Sequence, residues 1–103
     1  MFVKVYQYHI QTEKVKDYLA LQEKVAEVYK KYIHFQSIYL QSKEDETKWI
    51  EIMKFQDEGE YEKSIKLINQ QEEIISLYKA FQTILVKDKK EISEEDFLLM
   101  LQM

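Results

Sequence analysis

The sequence predicts an α+β domain of ferredoxin-like, split βαβ topology, β-α-β-β-α-β, with an antiparallel sheet in the order 4-1-3-2. Three observations carry this reading. Short runs rich in β-branched and aromatic residues alternate with longer segments of helical periodicity. One of those runs alternates strictly after a polar turn, as a hairpin does. Finally, 103 residues that are 46% hydrophobic and 14% aromatic suit one folded domain, residues 1–103, and leave no room for a second core.

The first strand is read over residues 2–10, where valine, tyrosine and phenylalanine cluster before the polar Gln11-Thr12-Glu13. Thr12 is the expected N-cap of a helix from Lys14 to Tyr32. Within it Val15, Tyr18, Leu19, Gln22, Ala26 and Tyr29 recur at spacings of three and four. Residues 33–41 return to strand composition, Ser42 to Thr47 form a polar turn, and Lys48 to Phe55 alternate. There Lys48, Ile50, Ile52 and Lys54 share one face, and Trp49, Glu51, Met53 and Phe55 the other.

Asp57 is the expected N-cap of a second helical region, with Glu58 and Glu60 in its first turn to suit the helix dipole. The stripe Tyr61, Ile65, Ile68 slips phase against Ile74, Tyr78, Phe81, Leu85, so this region is expected to break in two near Asn69. The final segment, Glu94 to Met103, is short and apolar. Leucine and methionine favour a helix, but the first strand needs an edge partner and the run has no polar helical face, so it is read as the fourth strand.

Composition removes whole classes of chemistry. Cysteine is absent, which excludes disulfides, thiolate nucleophiles and cysteine-ligated metal. The 15 basic residues are all lysine, so no guanidinium fork is available, and a net charge of −4 offers no general attraction to nucleic acid. One glycine, Gly59, and no proline leave no phosphate loop or nucleophile elbow. The two histidines, His9 and His34, are not at metal-ligand spacing, so no metal site is expected and no cofactor is called for. His34 is expected to close the first helical region. No signal peptide or membrane-length apolar run is present, which makes the cytoplasm the default expectation and gives no reason to expect a membrane partner.

Helices on one sheet face leave the other to be covered, and Trp49, Met53 and Phe55 are expected on that uncovered face as an interface. Pairing Val5 with Met53 would set Gln7 opposite Glu51 and His9 opposite Trp49, all on one face. A histidine, a carboxylate, an amide and an indole in one apolar cleft suit proton abstraction. His9 and Glu51 are therefore the candidate catalytic residues, and Gln7, Trp49, Met53 and Phe55 the candidate pocket lining. The alternative is a solvated carboxylate and an indole that merely fills a core. Most tyrosines fall on helix stripes or one strand face, as packing requires, but Tyr39 has no obvious place.

Three segments carry a family resemblance: Tyr6 to Ile10 leading into the helix at Val15 to Leu19; the strand Ile50-Glu51-Ile52-Met53-Lys54-Phe55; and the acidic turn and helix Asp57-Glu58-Gly59-Glu60-Tyr61-Glu62-Lys63-Ser64-Ile65. In these the chain resembles the dimeric α/β-barrel superfamily, in particular antibiotic-biosynthesis-monooxygenase-like domains. The resemblance implies a homodimer whose sheets pack face to face and a pocket for a hydrophobic or aromatic small molecule. It also implies cofactor-independent oxygenase or isomerase chemistry, with non-catalytic ligand binding or a purely structural dimer as alternatives. Family members often carry tryptophan where Phe55 stands. Haem-degrading members place an axial histidine where this chain has Ser64, and a hydroxyl does not replace an imidazole on iron, so haem degradation is disfavoured.

Overall fold

The computed structural model covers residues 1–103 and places eight elements along the chain. They are β1 (Phe2–His9), a one-turn 3-10 stretch (Thr12–Lys14), α1 (Val15–Lys30), β2 (Phe35–Gln41), β3 (Lys48–Phe55), α2 (Glu58–Ile68), α3 (Glu72–Ile84) and β4 (Ser93–Leu98). The four strands form one antiparallel sheet in the order β2-β3-β1-β4, as the sequence predicts.

Local chemistry explains most of the boundaries. Asp57 caps α2, its carboxylate accepting the Glu60 amide at 2.8 Å. The second helical region does break at Asn69 to Gln71, whose amides close onto Ile65, Leu67 and Ile68 carbonyls. Thr12 does not cap α1: its hydroxyl reaches only the Glu13 side chain, at 3.4 Å, and residues 12–14 wind as a 3-10 turn. Lys31 closes α1 through its own amide, and His34 lies exposed beyond it rather than terminating the helix. Gln11 instead ties this corner to the end of α3, donating to the Leu85 and Thr83 carbonyls at 2.9 and 3.2 Å. Strand β4 ends at Leu98, not Met103. Its partner β1 starts at Phe2, and beyond that point only Leu99 finds an acceptor, the Met1 carbonyl.

The register between β1 and β3 differs by one residue from the expected one. Val5 pairs with Ile52, Gln7 with Ile50 and His9 with Lys48, while Tyr6 pairs with Glu51 and Tyr8 with Trp49. Because side chains alternate, this slip moves Gln7 and His9 to the face opposite Glu51. The reason is burial. The register puts Phe2, Tyr6 and Tyr8 beneath the helices with Trp49, Met53 and Phe55; Phe2, Tyr8 and all three β3 residues are buried and Tyr6 is partly so. Moving these β1 rings out would forfeit roughly 1.5–3 kcal/mol for each large apolar side chain.

The same fact corrects the assignment of faces. Trp49, Met53 and Phe55 lie beneath the helices; the face without helices carries Val5, Ile38, Leu40, Ile50, Ile52 and Phe97. Two core clusters fill the helix side. One joins Tyr8, Ile10, Tyr18, Trp49, Phe81, Ile84 and Leu85, and the other Phe2, Ile33, Met53, Phe55 and Ile68.

Candidate functional site

Between the sheet and its helices lies a cavity of ≈ 580 Å³, walled mainly by hydrophobic side chains. β1 supplies Tyr6 and Tyr8 and β3 supplies Glu51 and Met53. Gln22, Val25 and Tyr29 come from α1, Tyr61 and Ile65 from α2, and Ile74, Leu77 and Phe81 from α3. Strand pairing puts Tyr39, Glu51, Tyr6 and Glu94 in one row across the helix-side face of the sheet, with Glu94 on the exposed edge strand.

Glu51 is the chemically distinctive group. It sits on a central strand under the helix layer, and burial raises its carboxyl above the ordinary value, opposed only by the hydrogen bond from Tyr8. The Tyr8 hydroxyl donates to Glu51 Oε1 at 2.8 Å, and the hydroxyls of Tyr8 and Tyr18 lie 2.6 Å apart. Tyr8 has a single hydroxyl proton, so the chain runs from Tyr18 to Tyr8 to Glu51. Burial also raises Tyr6, Tyr8, Tyr18 and Tyr29, which keeps these phenols protonated and available as donors.

Tyr39, unplaced by sequence, donates to Gln22 Oε1 at 3.2 Å and packs edge-on to Tyr18 at 6.2 Å. Burial pushes its phenol up to about 12. Tyr39 thus orients an amide that lines the cavity.

Of the side chains expected in the pocket, Glu51 and Met53 line it. Trp49 and Phe55 are core instead: Trp49 packs tilted against Tyr18 with centroids 4.8 Å apart, and Phe55 likewise against Tyr61 at 4.6 Å. The Trp49 indole N–H is buried and no protein group accepts from it. Gln7 and His9 line a separate, wholly polar depression of ≈ 650 Å³ with Ser93 and the Lys87–Glu91 loop. There His9 Nδ1 lies 2.9 Å from Thr47 Oγ1, which in turn donates to Asp45 at 2.7 Å, so the ring nitrogen is the donor. Asp45 is held below its ordinary carboxylate value by the Thr47 hydroxyl and amide.

The residues that sequence reasoning missed are Tyr6 and Tyr8. Their two-residue spacing places them on one face, but only the register shows that this face is the one carrying Glu51. Ser64 is buried and donates to the Tyr32 carbonyl at 3.2 Å, which makes it a helix-to-loop tie away from the cavity. No group of histidine and carboxylate side chains here could hold a metal ion, and no helix is long and apolar enough to cross a membrane.

No family model matches the sequence, and no curated protein matches it either. Solved structures do. An uncharacterized NIPSNAP domain protein from Burkholderia xenovorans superposes with a TM-score of 0.76 over 97% of this chain and 95% of its own, at 11% identity. SnoaB, a cofactor-independent oxygenase from Streptomyces nogalater, gives 0.74 over 99% and 95%, at 8% identity. An antibiotic biosynthesis monooxygenase gives 0.71 over 98% and 100%, at 13% identity. The chain has the antibiotic-biosynthesis-monooxygenase-like fold. At these identities the likeness is one of fold, and the chemistry of this chain rests on its own side chains.

Proposed function

We propose that this antibiotic-biosynthesis-monooxygenase-like protein binds a hydrophobic ring compound between sheet and helices and removes a proton from it with Glu51. The observation that carries the reading is a carboxylate with a raised pKa, hydrogen-bonded to Tyr8, on the floor of an apolar cavity large enough for such a molecule. Burial makes Glu51 a stronger base than a solvated glutamate, and the Tyr6 and Tyr29 hydroxyls, outside the Tyr18–Tyr8–Glu51 chain, can donate to the oxygen of an enolate or phenolate as it forms. The anion is electron-rich enough to react directly with O2. Overall a ring CH2 and O2 give a ring carbonyl and water, one oxygen atom going to each product. The likeness to SnoaB, described as a cofactor-independent oxygenase, supports this class of reaction. Non-catalytic binding in the same cavity is the alternative.

The proton acceptor proposed is Glu51 alone. His9, on the other face and engaged with Thr47, is outside the step. Turnover of a dihydroxyanthrone-type substrate, followed as O2 uptake, tests this: Glu51→Gln is expected to lower kcat about 100-fold or more with affinity little changed, and His9→Ala to leave kcat within about twofold. Loss of activity in His9→Ala with Glu51→Gln unaffected contradicts the assignment. Binding without O2 uptake in the wild type points to the ligand-binding alternative.

The bare sheet face supports a homodimer. Ile38, Leu40 and Phe97 are exposed at 40%, 48% and 44%, beside the half-buried Val5, Ile50 and Ile52 on central strands. A second copy of the same face would cover them, closing two sheets into a barrel.

A further inference from the structure

A second carboxylate stands in the row that contains Glu51. Tyr6 is the cross-strand neighbour of Glu51 on β3 and of Glu94 on β4, so the two acids flank one aromatic ring, with strands about 10 Å apart. Both line the cavity. At the Glu94 end the charges do not balance. Lys4, 6% exposed, lies 2.6 Å from Asp96 and 3.2 Å from Glu94, so one buried ammonium faces two half-exposed carboxylates at the cavity edge and one negative charge is left to solvent or to a ligand. The rings around it already accept a cation: Lys4 Nζ sits 5.2 Å from the Tyr61 centroid, 5.6 Å from Phe2 and 6.0 Å from Tyr6.

Nothing comparable favours an anion. Arginine is absent, Lys4 is committed to its two acids, and the one lysine that lines the cavity, Lys79, is exposed. A ligand that surrenders a proton to Glu51 becomes an anion in a site with no free buried cation to balance it. A positive charge carried by the ligand itself would supply that balance.

Resting on the cavity reading above, we propose that the ligand is a ring compound bearing a protonated amine. Its ammonium sits on the half-exposed Glu94 carboxylate on the side away from Lys4 Nζ, and its acidic O–H or C–H meets Glu51. The spacing suits a phenolic ring carrying a short aminoalkyl chain.

Three probes of one shape and different charge test this: tyramine, 4-ethylphenol and 3-(4-hydroxyphenyl)propanoate, titrated at pH 7 by amide chemical shifts. Tyramine is expected to bind about tenfold tighter than 4-ethylphenol, and the propanoate most weakly. Glu94→Gln is expected to bring tyramine within about twofold of 4-ethylphenol, while Glu51→Gln keeps the tyramine preference. If 4-ethylphenol or the propanoate equals tyramine, the amine proposal falls and the cavity reading stands. If the preference survives Glu94→Gln but not Glu51→Gln, the ammonium is wrongly placed. If no probe shifts any cavity residue, both readings fall.

Discussion

Glu51 owes its chemistry to one alternation of side chains. On the bare face of β3 it would be a solvated glutamate; beneath the helices it is desolvated and raised. A raised carboxyl binds protons more tightly in the folded chain than in the unfolded one. Its contribution to stability is therefore present below the unfolded pKa, near 4.5, and is lost as pH rises through the folded value. Glu51→Gln removes that dependence. Thermal unfolding from pH 4 to pH 8 is expected to show the variant gaining on the wild type as pH rises. A constant difference across that range would mean that Glu51 is not desolvated. Glu51 and its alternation partners Trp49, Met53 and Phe55 are legible in the sequence. Their facing residues on β1 are not, because Val3 and Val5 offer one apolar phase and Phe2, Tyr6 and Tyr8 another. Only the volume of the helix layer decides between them.

Among the strands, β4 is the one that buries no side chain even in part. All six of its residues are exposed, and it is held by its ladder to β1 and by the bridges from Lys4 to Glu94 and Asp96. Lys4 itself is raised: burial works against its charge, but Asp96, Tyr61 and Glu94 outweigh burial. Lys4→Met would leave Glu94 and Asp96 adjacent and unpaired, and like charges on one strand face repel. Hydrogen exchange is expected to speed up in Ser93–Leu98 in this variant, with Phe35–Gln41 unchanged. Equal protection of β4 in both proteins would show that the ladder alone holds it. The order of elements, the hairpin, the Asp57 cap and the break near Asn69 can all be read from spacing. The end of β4 cannot, since it depends on where β1 begins, and neither can the corner beside Thr12, where Gln11 binds carbonyls more than seventy residues away.

At the scale of the whole molecule, the sheet divides two kinds of surface. One side is a filled aromatic layer with the cavity beside it. The other is a stripe of isoleucine, leucine and valine with no helix over it. If that stripe is the contact between two copies, Ile52→Lys at its centre is expected to give a monomer by light scattering at micromolar concentration. The wild type should be a dimer, and the helix content of the two should match. A monomeric wild type would leave the bare face without the partner proposed for it. The sequence signals that one face needs covering, but both phases of β3 are apolar, so which face it is becomes visible only once the aromatic rings are placed.

The central claim is that the working site is the Tyr6–Tyr8–Glu51 cavity and not the His9 side of the sheet. An amide and side-chain chemical-shift titration of the wild-type protein with tyramine tests it most directly. The expected result is saturable shifts at Tyr6, Tyr8, Glu51, Tyr61 and Phe81, with Gln7, His9 and Lys89 unmoved. Saturable shifts confined to Gln7, His9 and the Lys87–Glu91 loop would contradict it.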